Sequence, residues 1–402
     1  MSTTSLLYHA FGAVGYHHVK SEYIGGVVRF ILEDNRVQRC THCGSSDVIK
    51  RGKSLRRFRT VPIGRKPVFI EVPVQRIGCL SCGNVRQVET GFADERRTYT
   101  RAFERFVLEL SKSMTISDVA RHLGVSWDTV KDIQKRNLER RYAHISLRDV
   151  QLIAIDEISI GKGHRYMTIV LDLKSGAIVF VGDGRGSKSL DPFWQKLKHS
   201  KADIKAVAVD MSPAYALAVH KHLPKSVIVF DHFHIIKMFN EQLSELRRAL
   251  QNQVESTMHK RVIKGSRWLL LKASENLSSR HKEKLEEALS LNQPLAMAYY
   301  LKEDLRQLWY QRDKQTAALF LDDWIARARV SGIRMLYEFA KMLALHRFGI
   351  LAWYDFPIST GPLEGTNNKI RTLQKKAYGF RDNDFFKLKL YALHESKYAL
   401  VG

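Results

Sequence analysis

Two C-x-x-C pairs, Cys40-Thr41-His42-Cys43 and Cys79-Leu80-Ser81-Cys82, constrain this chain more than any other feature, and they contain all of its cysteines. Each pair runs straight into a glycine, Gly44 or Gly83. A glycine there allows the tight turn that lets four thiolates converge tetrahedrally on one zinc ion. Four regularly placed cysteines in 402 residues do not make a secreted disulfide scaffold. Two matched pairs also suit a closed structural site better than a thioredoxin-like dithiol. His42 could substitute as a ligand, although an exposed neighbour is the simpler reading. Residues 44–78, between the pairs, exceed the usual zinc-ribbon interval, which predicts a β-excursion near Arg57–Arg76.

Charge narrows the partner. Sixty-five basic residues against 41 acidic give +24 and a pI near 9.9, which calls for a polyanion, best a nucleic acid. No apolar run approaches the roughly 20 residues a membrane span needs, and no secretory pattern opens the chain, so the expected location is cytoplasmic. Between the knuckles, Lys50–Lys66 carries Lys50, Arg51, Lys53, Arg56, Arg57, Arg59, Arg65 and Lys66 without an acid. Such a run beside a zinc knuckle suits phosphate contact better than a merely solvated face.

Helical periodicity takes over in residues 98–141. Within it, Ser117 is placed to cap a short helix with Val119, Ala120 and Leu123; Gly124 supplies a turn; Ser126 caps a second helix with Val130 and Ile133. This is the grammar of a helix-turn-helix, whose second helix would offer Trp127, Asp128, Lys131 and Lys135 to a DNA groove. An ordinary αα-hairpin is the competing reading.

Strand character follows. Gln151–Gly161 is an apolar run interrupted by Asp156 and Glu157; period-two alternation puts Asp156 on one face with Ala154 and Ile158, and Glu157 on the other with Ile155. Further strands are expected at Arg165–Leu173, Ala177–Asp183, Ile204–Asp210 and Ser226–Phe230, with a helix over Leu190–His199. Asp210 thus ends an apolar strand just before Pro213, where α/β sheets place ligands. Asp231, His232 and His234 fall at the same edge and rank below the other acids. Residues 235–355 read as a helical insertion, with Phe239, Leu243, Leu246 and Leu250 at core spacing. Its tryptophans, Trp268, Trp309, Trp324 and Trp353, read mainly as core, and Arg247–Arg248 and Lys260–Lys264 as possible phosphate contacts. In Ile358–Arg381, Gly361 is expected at the N-cap, Pro362 at the first helical position and Glu364 at the third. Gly365, Thr366, Asn367 and Asn368 make a poor helical start unless a backbone or metal comes close. Lys369, Arg371, Lys375 and Lys376 follow, suited to a phosphate strand.

Asp156, Asp210 and Glu364 are therefore three acids at element junctions, and three carboxylates can hold two magnesium ions about 3.5–4 Å apart around a scissile phosphate. The order of knuckles, helix-turn-helix, IDE at 155–157, VDMSPAY at 209–215, DHFH at 231–234 and GPLEGTNNKIR followed by AYGFR closely resembles the ISL-three family of bacterial insertion-sequence transposases, over roughly residues 40–390. The resemblance implies an α/β multi-domain chain: a zinc-binding β module (1–95), a helix-turn-helix domain (96–145) and an RNase H-like mixed sheet of the DDE type. That core (146–234 and 357–402) would be split by a helical insertion (235–356). It also implies Asp156, Asp210 and Glu364 as a magnesium-binding triad, with Mn2+ as a substitute, and Cys40, Cys43, Cys79 and Cys82 as zinc ligands. The expected partners are transposon-end inverted repeats and target DNA, engaged by a homodimer or larger assembly on the nucleoid. Two rivals remain: a catalytically dead zinc and helix-turn-helix regulator, and a nuclease without strand transfer.

Overall fold

The computed structural model describes residues 4–161, 163 and 165–393. The outermost residues of the first and last expected domains, 1–3 and 394–402, lie outside it. The chain forms two compact units, one of residues 4–143 with 376–388, the other of residues 144–375 with 389–393. The stretch expected as one terminal domain from 357 is thus divided between the units.

The first unit opens with helix α1 (Thr4–Phe11), which the sequence reading did not anticipate, and strands β1 (Tyr16–Ile24) and β2 (Val27–Asp34). Two long strands follow, β3 (Val48–Ile63) and β4 (Lys66–Cys79), then a short β5 (Val85–Gln87), in the sheet order β1-β2-β4-β3 with β5 on β4. The excursion between the knuckles is therefore an antiparallel hairpin longer than Arg57–Arg76, because pairing continues to Val48 opposite Cys79. Its inner half is apolar: Phe58, Val68, Ile70 and Val72 pack with Leu7, Phe11, Phe30, Leu32 and Phe92.

Three helices complete this unit: α2 (Arg101–Leu110), α3 (Ile116–Leu123) and α4 (Trp127–Tyr142). Thr115, not Ser117, caps α3, because its hydroxyl and the Asp118 carboxylate form a reciprocal capping box. Gly124 takes the left-handed conformation (φ 62°) that ends α3, and Ser126 caps α4. Val119, Ala120, Leu123, Val130 and Ile133 are buried between the helices, as the periodicity predicts.

In the second unit, β6 (Leu152–Gly161), β7 (Arg165–Asp172) and β8 (Ile178–Asp183) form an antiparallel meander. Helix α5 (Asp191–Ser200), strand β9 (Ala206–Val209), helix α6 (Pro213–His222) and strand β10 (Val227–Phe230) follow. The order β10-β9-β6-β7-β8, with β9 parallel to β6 and β10 parallel to β9, is the RNase H-like mixed sheet. One face packs Ile153, Ile155, Val207 and Val209 into a core shared with Phe193, Trp194 and Val219.

Helix α7 (His232–Gln253) starts three residues before the expected insertion, because Asp231 caps it. Helices α8 (Thr257–Gly265), α9 (Arg267–Leu271), α10 (Ser279–Ser290), α11 (Gln293–Arg306), α12 (Lys314–Val330), α13 (Arg334–Leu345) and α14 (Arg347–Leu351) continue the insertion. Phe239 and Leu243 are buried on α7, and Arg247 extends their stripe inward, donating to Gln251 and the Ile263 carbonyl. Arg247 is therefore not a phosphate contact. Trp324 is fully buried and Trp309 nearly so, while Trp268 is exposed. The chain then returns as α15 (Gly361–Lys376) and α16 (Asn383–Tyr391). Among the described residues no helix is long and apolar enough to cross a membrane.

Candidate active site and metal centre

The four cysteine sulfurs lie within 4.8 Å of one another, the only such group of three or more His, Cys, Asp or Glu ligand atoms among the described residues. Cys40 and Cys82 sulfurs are 3.7 Å apart and those of Cys43 and Cys79 3.5 Å. A tetrahedron of Zn–S bonds near 2.3 Å has edges of ~3.8 Å, so the thiols fit one zinc ion. The two knuckles repeat each other: Gly44 N–H donates to Cys40 C=O as Gly83 N–H does to Cys79, and Cys40 and Cys79 N–H donate to Ser45 and Asn84. Gly44 and Gly83 both take φ near +70° (75° and 70°), a turn that side chains resist. Backbone N–H groups of Cys43 and His42 pull the Cys40 thiol down, and those of Asn84 the Cys82 thiol, whereas Cys43, despite the Ser45 N–H, is pushed up by the Cys79 and Cys82 sulfurs crowded beside it. His42 is exposed and outside the cluster.

In the second unit, register brings the acids together. β6 and β9 pair as Ala154↔Ala208, so two residues further along both strands Asp156 comes opposite Asp210. β9 and β10 pair as Val209↔Phe230, and the Asp231 N–H donates to Val209 C=O, so Asp231 continues the row. Three aspartates thus cross the edge of three adjacent strands.

Their environments differ. Burial pushes the Asp156 carboxyl above the usual range and the Asp210 charge adds to it, against the Glu157 N–H, His234 and Asn367. Burial likewise raises Asp210, with Glu157 and Asp231 adding repulsion. Asp231 is driven up by its burial, yet hydrogen bonds from His234 and Thr360 more than offset this and hold it low. Its two oxygens accept from the His234 N–H and Nδ1 and from Thr360 N–H and Oγ1 (2.7–3.3 Å). It is a structural anion that joins α7 to the start of α15. The Asp231 bond raises the His234 pKa against its burial, as do Asp156 and Asp210, so the imidazolium form is favoured beside the pair of raised acids.

Helix α15 covers Asp156. Its Asn367 donates Nδ2 to Asp156 Oδ2 at 2.9 Å, while Asn367 Oδ1 is buried without a hydrogen-bond partner. Thr360, rather than Gly361, begins the helix: its carbonyl accepts from Leu363 and Glu364 N–H while its side chain is held by Asp231. Glu364 shares the Asn367 face at i−3 but is exposed, and its carboxylate does not reach ligand spacing with Asp156 and Asp210. The structure therefore brings two of the three expected acids together and leaves the third at the rim. Two facing carboxylates beside an orphaned amide oxygen are a hard-oxygen donor set, which fits a divalent cation. Asp231, ranked below the other acids in the sequence, is spent on His234 and Thr360, and nothing in the sequence marked Thr360. The clustered amides around Asn367 were the useful signal.

Glu157 points away, as strand parity requires. Its Oε1 accepts from Tyr215 Oη at 2.5 Å and Gly186 N–H at 3.0 Å, tying β6 to α6. Burial, and then Glu157, raise the Tyr215 pKa. A Tyr215→Phe chain is expected to lose roughly 1.5–3 kcal/mol of stability, the worth of a hydrogen bond to a charged group, measurable by urea unfolding. Glu157→Gln should keep most DNA cleavage; a loss as deep as that of an Asp156 variant would refute this structural assignment.

The predicted DNA contacts divide. Lys50, Arg51 and Lys53 are exposed on β3. Arg56 donates to Arg97 C=O and Arg57 pairs with Glu71 at 2.7 Å. Arg59 is 8% exposed, donates to Leu123 C=O and lies over Phe69 and Phe103, so it braces β3 against α3 and is withdrawn from DNA. Trp127 is half-exposed under the Lys131 ammonium. Lys131 and Lys135 both bind Asp382, at 2.9 and 3.0 Å, and so are not free for a groove. Lys369, Arg371 and Lys375 are exposed on α15; Lys376 is exposed and reaches Ser113 C=O.

A zinc knuckle, a helix-turn-helix and an RNase H-like sheet edged with acids define a DNA-processing enzyme of the transposase class. Family profiles agree: residues 153–390 match one described as "Transposase", residues 88–136 "Helix-turn-helix domain of transposase family ISL3", and residues 36–82 a zinc finger of transposases of the IS204/IS1001/IS1096/IS1165 group. The chain is 33% identical over 360 residues to the transposase of insertion sequence IS1001 from Bordetella parapertussis, covering 89% of each. It is 30% identical over 372 residues to that of IS1557 from Mycobacterium tuberculosis, covering 86% of this chain and 83% of that protein. A solved chain titled "Drosophila P element transposase strand transfer complex" superposes with a TM-score of 0.43 at 10% identity, over 74% of this chain and 92% of that one. The chain belongs to the ISL3 family of insertion-sequence transposases.

Proposed function

We propose that the second unit cuts DNA at the inverted repeats of its element to expose 3′-hydroxyls and joins them to target DNA by transesterification. The observation that carries this reading is the register of Asp156 against Asp210 beneath the helix that bears Glu364. Asp156, Asp210 and Glu364 would hold two magnesium ions, with manganese as a substitute, which when bound activate the attacking oxygen and stabilise the leaving one. Asn367 orients Asp156 through its amide. His234, fixed through Nδ1 by Asp231 and with its protonated form favoured there, is suited to hold a phosphate oxygen. Lys369, Arg371 and Lys375 on the exposed side of α15 are suited to steady the strand. The exposed basic stretch of β3 and the helix-turn-helix would engage the repeats, and two ends require at least a pair of chains, working on the bacterial nucleoid.

Strand joining separates this reading from a simple nuclease. A labelled, pre-cut end with a 3′-hydroxyl should be joined to plasmid DNA by the purified chain in Mg2+, and the same end with a dideoxy terminus should not. Nicking of an uncut end with no joining of the hydroxyl-bearing one would favour the nuclease.

A further inference from the structure

The AYGFR motif at 377–381 lies outside the acid site, and its surroundings give it a task. Both ends of the loop are fastened within the first unit. Lys376 donates to Ser113 C=O just after α2, and Asp382 takes Lys131 and Lys135 of α4 while capping α16 through the Phe385 N–H. Phe380 stacks on Phe386, with ring centroids 4.7 Å apart, and anchors the middle. Between these anchors the backbone turns through two successive left-handed residues, Tyr378 (φ 52°) and Gly379 (φ 93°). Left-handed backbone is ordinary for glycine and strained for tyrosine. The result is a tyrosine that is 99% exposed, the most exposed large apolar side chain among the described residues.

An aromatic ring held fully in water by a strained, fastened loop contributes nothing to the core, so its use is in contact. The charge around it selects the partner. Lys376 and Arg381 flank Tyr378 in sequence and are exposed, in a chain of net charge +24. Trp127 and Lys131 lie one turn apart on α4, the helix to which Asp382 ties the loop. The two lysines that a lone recognition helix would offer DNA serve instead to seat this loop, and the rings of Trp127 and Tyr378 stay exposed. We propose that the DNA-reading surface of this protein is composite: the first turn of α4 together with the Ala377–Asp382 loop, with Tyr378 packing against bases or sugars of duplex DNA. The proposal rests on the transposase reading for its partner, but not on the acid site.

Fluorescence anisotropy on the full chain tests it, with a labelled 40-bp duplex of the DNA flanking the gene and a random duplex of equal length, titrated between 50 and 200 mM KCl. Tyr378→Ala should weaken binding to the flanking duplex about tenfold with an unchanged slope of log affinity against log salt, because ring contacts release no counterions. Tyr378→Phe should bind within about twofold of wild type, and a Lys376→Ala, Arg381→Ala double variant should instead flatten the slope. A Tyr378→Ala chain that binds like the wild type overturns the proposal. So does one whose binding is intact while its mass by light scattering changes, which would assign the loop to chain pairing. Wild-type chain that binds neither duplex would overturn the DNA reading itself, and the proposal with it.

Discussion

Replacing Asp156 with asparagine is expected to abolish strand cleavage and joining, by at least about a thousandfold (~4 kcal/mol), and at the same time to make the metal-free protein more stable. Both effects have one cause. Burial and the Asp210 charge raise the Asp156 pKa above its ordinary value of 3.8, so the folded state disfavours the carboxylate. An acid with a raised folded pKa costs nothing below its unfolded pKa. The cost grows as pH rises from there and is complete once the pH exceeds the folded value. Asp156→Asn removes it. The new amide needs a different partner, and Asn367, whose Oδ1 is unpaired, can rotate to accept where it formerly donated. The melting temperature at pH 7 should rise by about 2–4 °C for each kcal/mol recovered, with no gain at pH 3. Burial raises Asp210 too, so Asp210→Asn should behave alike, and the pair should gain less than the sum, because the Asp156–Asp210 repulsion is relieved only once. Added Mg2+ should raise the melting temperature of the wild type but not of the variant. A variant that melts lower than wild type at neutral pH would refute this account of the site.

Loss of zinc should have the other large effect. Structural zinc in small domains contributes about 10–16 kcal/mol of binding free energy to folding. Here the four thiols fasten the base of the β3–β4 hairpin, where Val48 pairs with Cys79. The aromatic core around Phe58, Phe30 and Phe92 contains none of the four cysteines. Cys43→Ser, or removal of zinc by a strong chelator, should therefore free residues 40–47 and 79–87 to proteolysis while that core persists. The exposed Lys50, Arg51 and Lys53 sit on the loosened end of β3. DNA affinity should fall at least about tenfold. Metal analysis finding other than one zinc per chain, or unchanged proteolysis in the Cys43→Ser chain, would contradict this.

Much of the site was legible because sheets obey period two and because acids are costly in apolar strands. That logic separated Asp156 from Glu157, and the Tyr215 and Gly186 contacts of Glu157 agree with it. The cysteine spacing was equally readable, since thiols at metal spacing have few other uses in so basic a chain. The illegible parts depended on residues far apart in sequence. Thr360 takes the cap of α15 only because Asp231, 129 positions earlier, holds its side chain. Arg59 looked like a phosphate ligand in a basic run, but its strand position turns it beneath Leu123. Lys131 and Lys135 could not be known to meet Asp382, which arrives from the far end of the chain. Glu364 is the converse case: its motif named it, while the structure leaves it exposed on α15.

The central claim is that Asp156, Asp210 and Glu364 act as one metal-dependent site on DNA. Its most direct test is a joining assay with purified chain, a labelled duplex carrying the element's terminal repeat, a plasmid target and Mg2+. Wild-type protein should yield labelled strand covalently joined to plasmid and none in EDTA, and Asp156→Asn, Asp210→Asn and Glu364→Gln should each yield none. Joined product from any of the three variants at the wild-type rate, or from wild type without a divalent cation, would contradict the account.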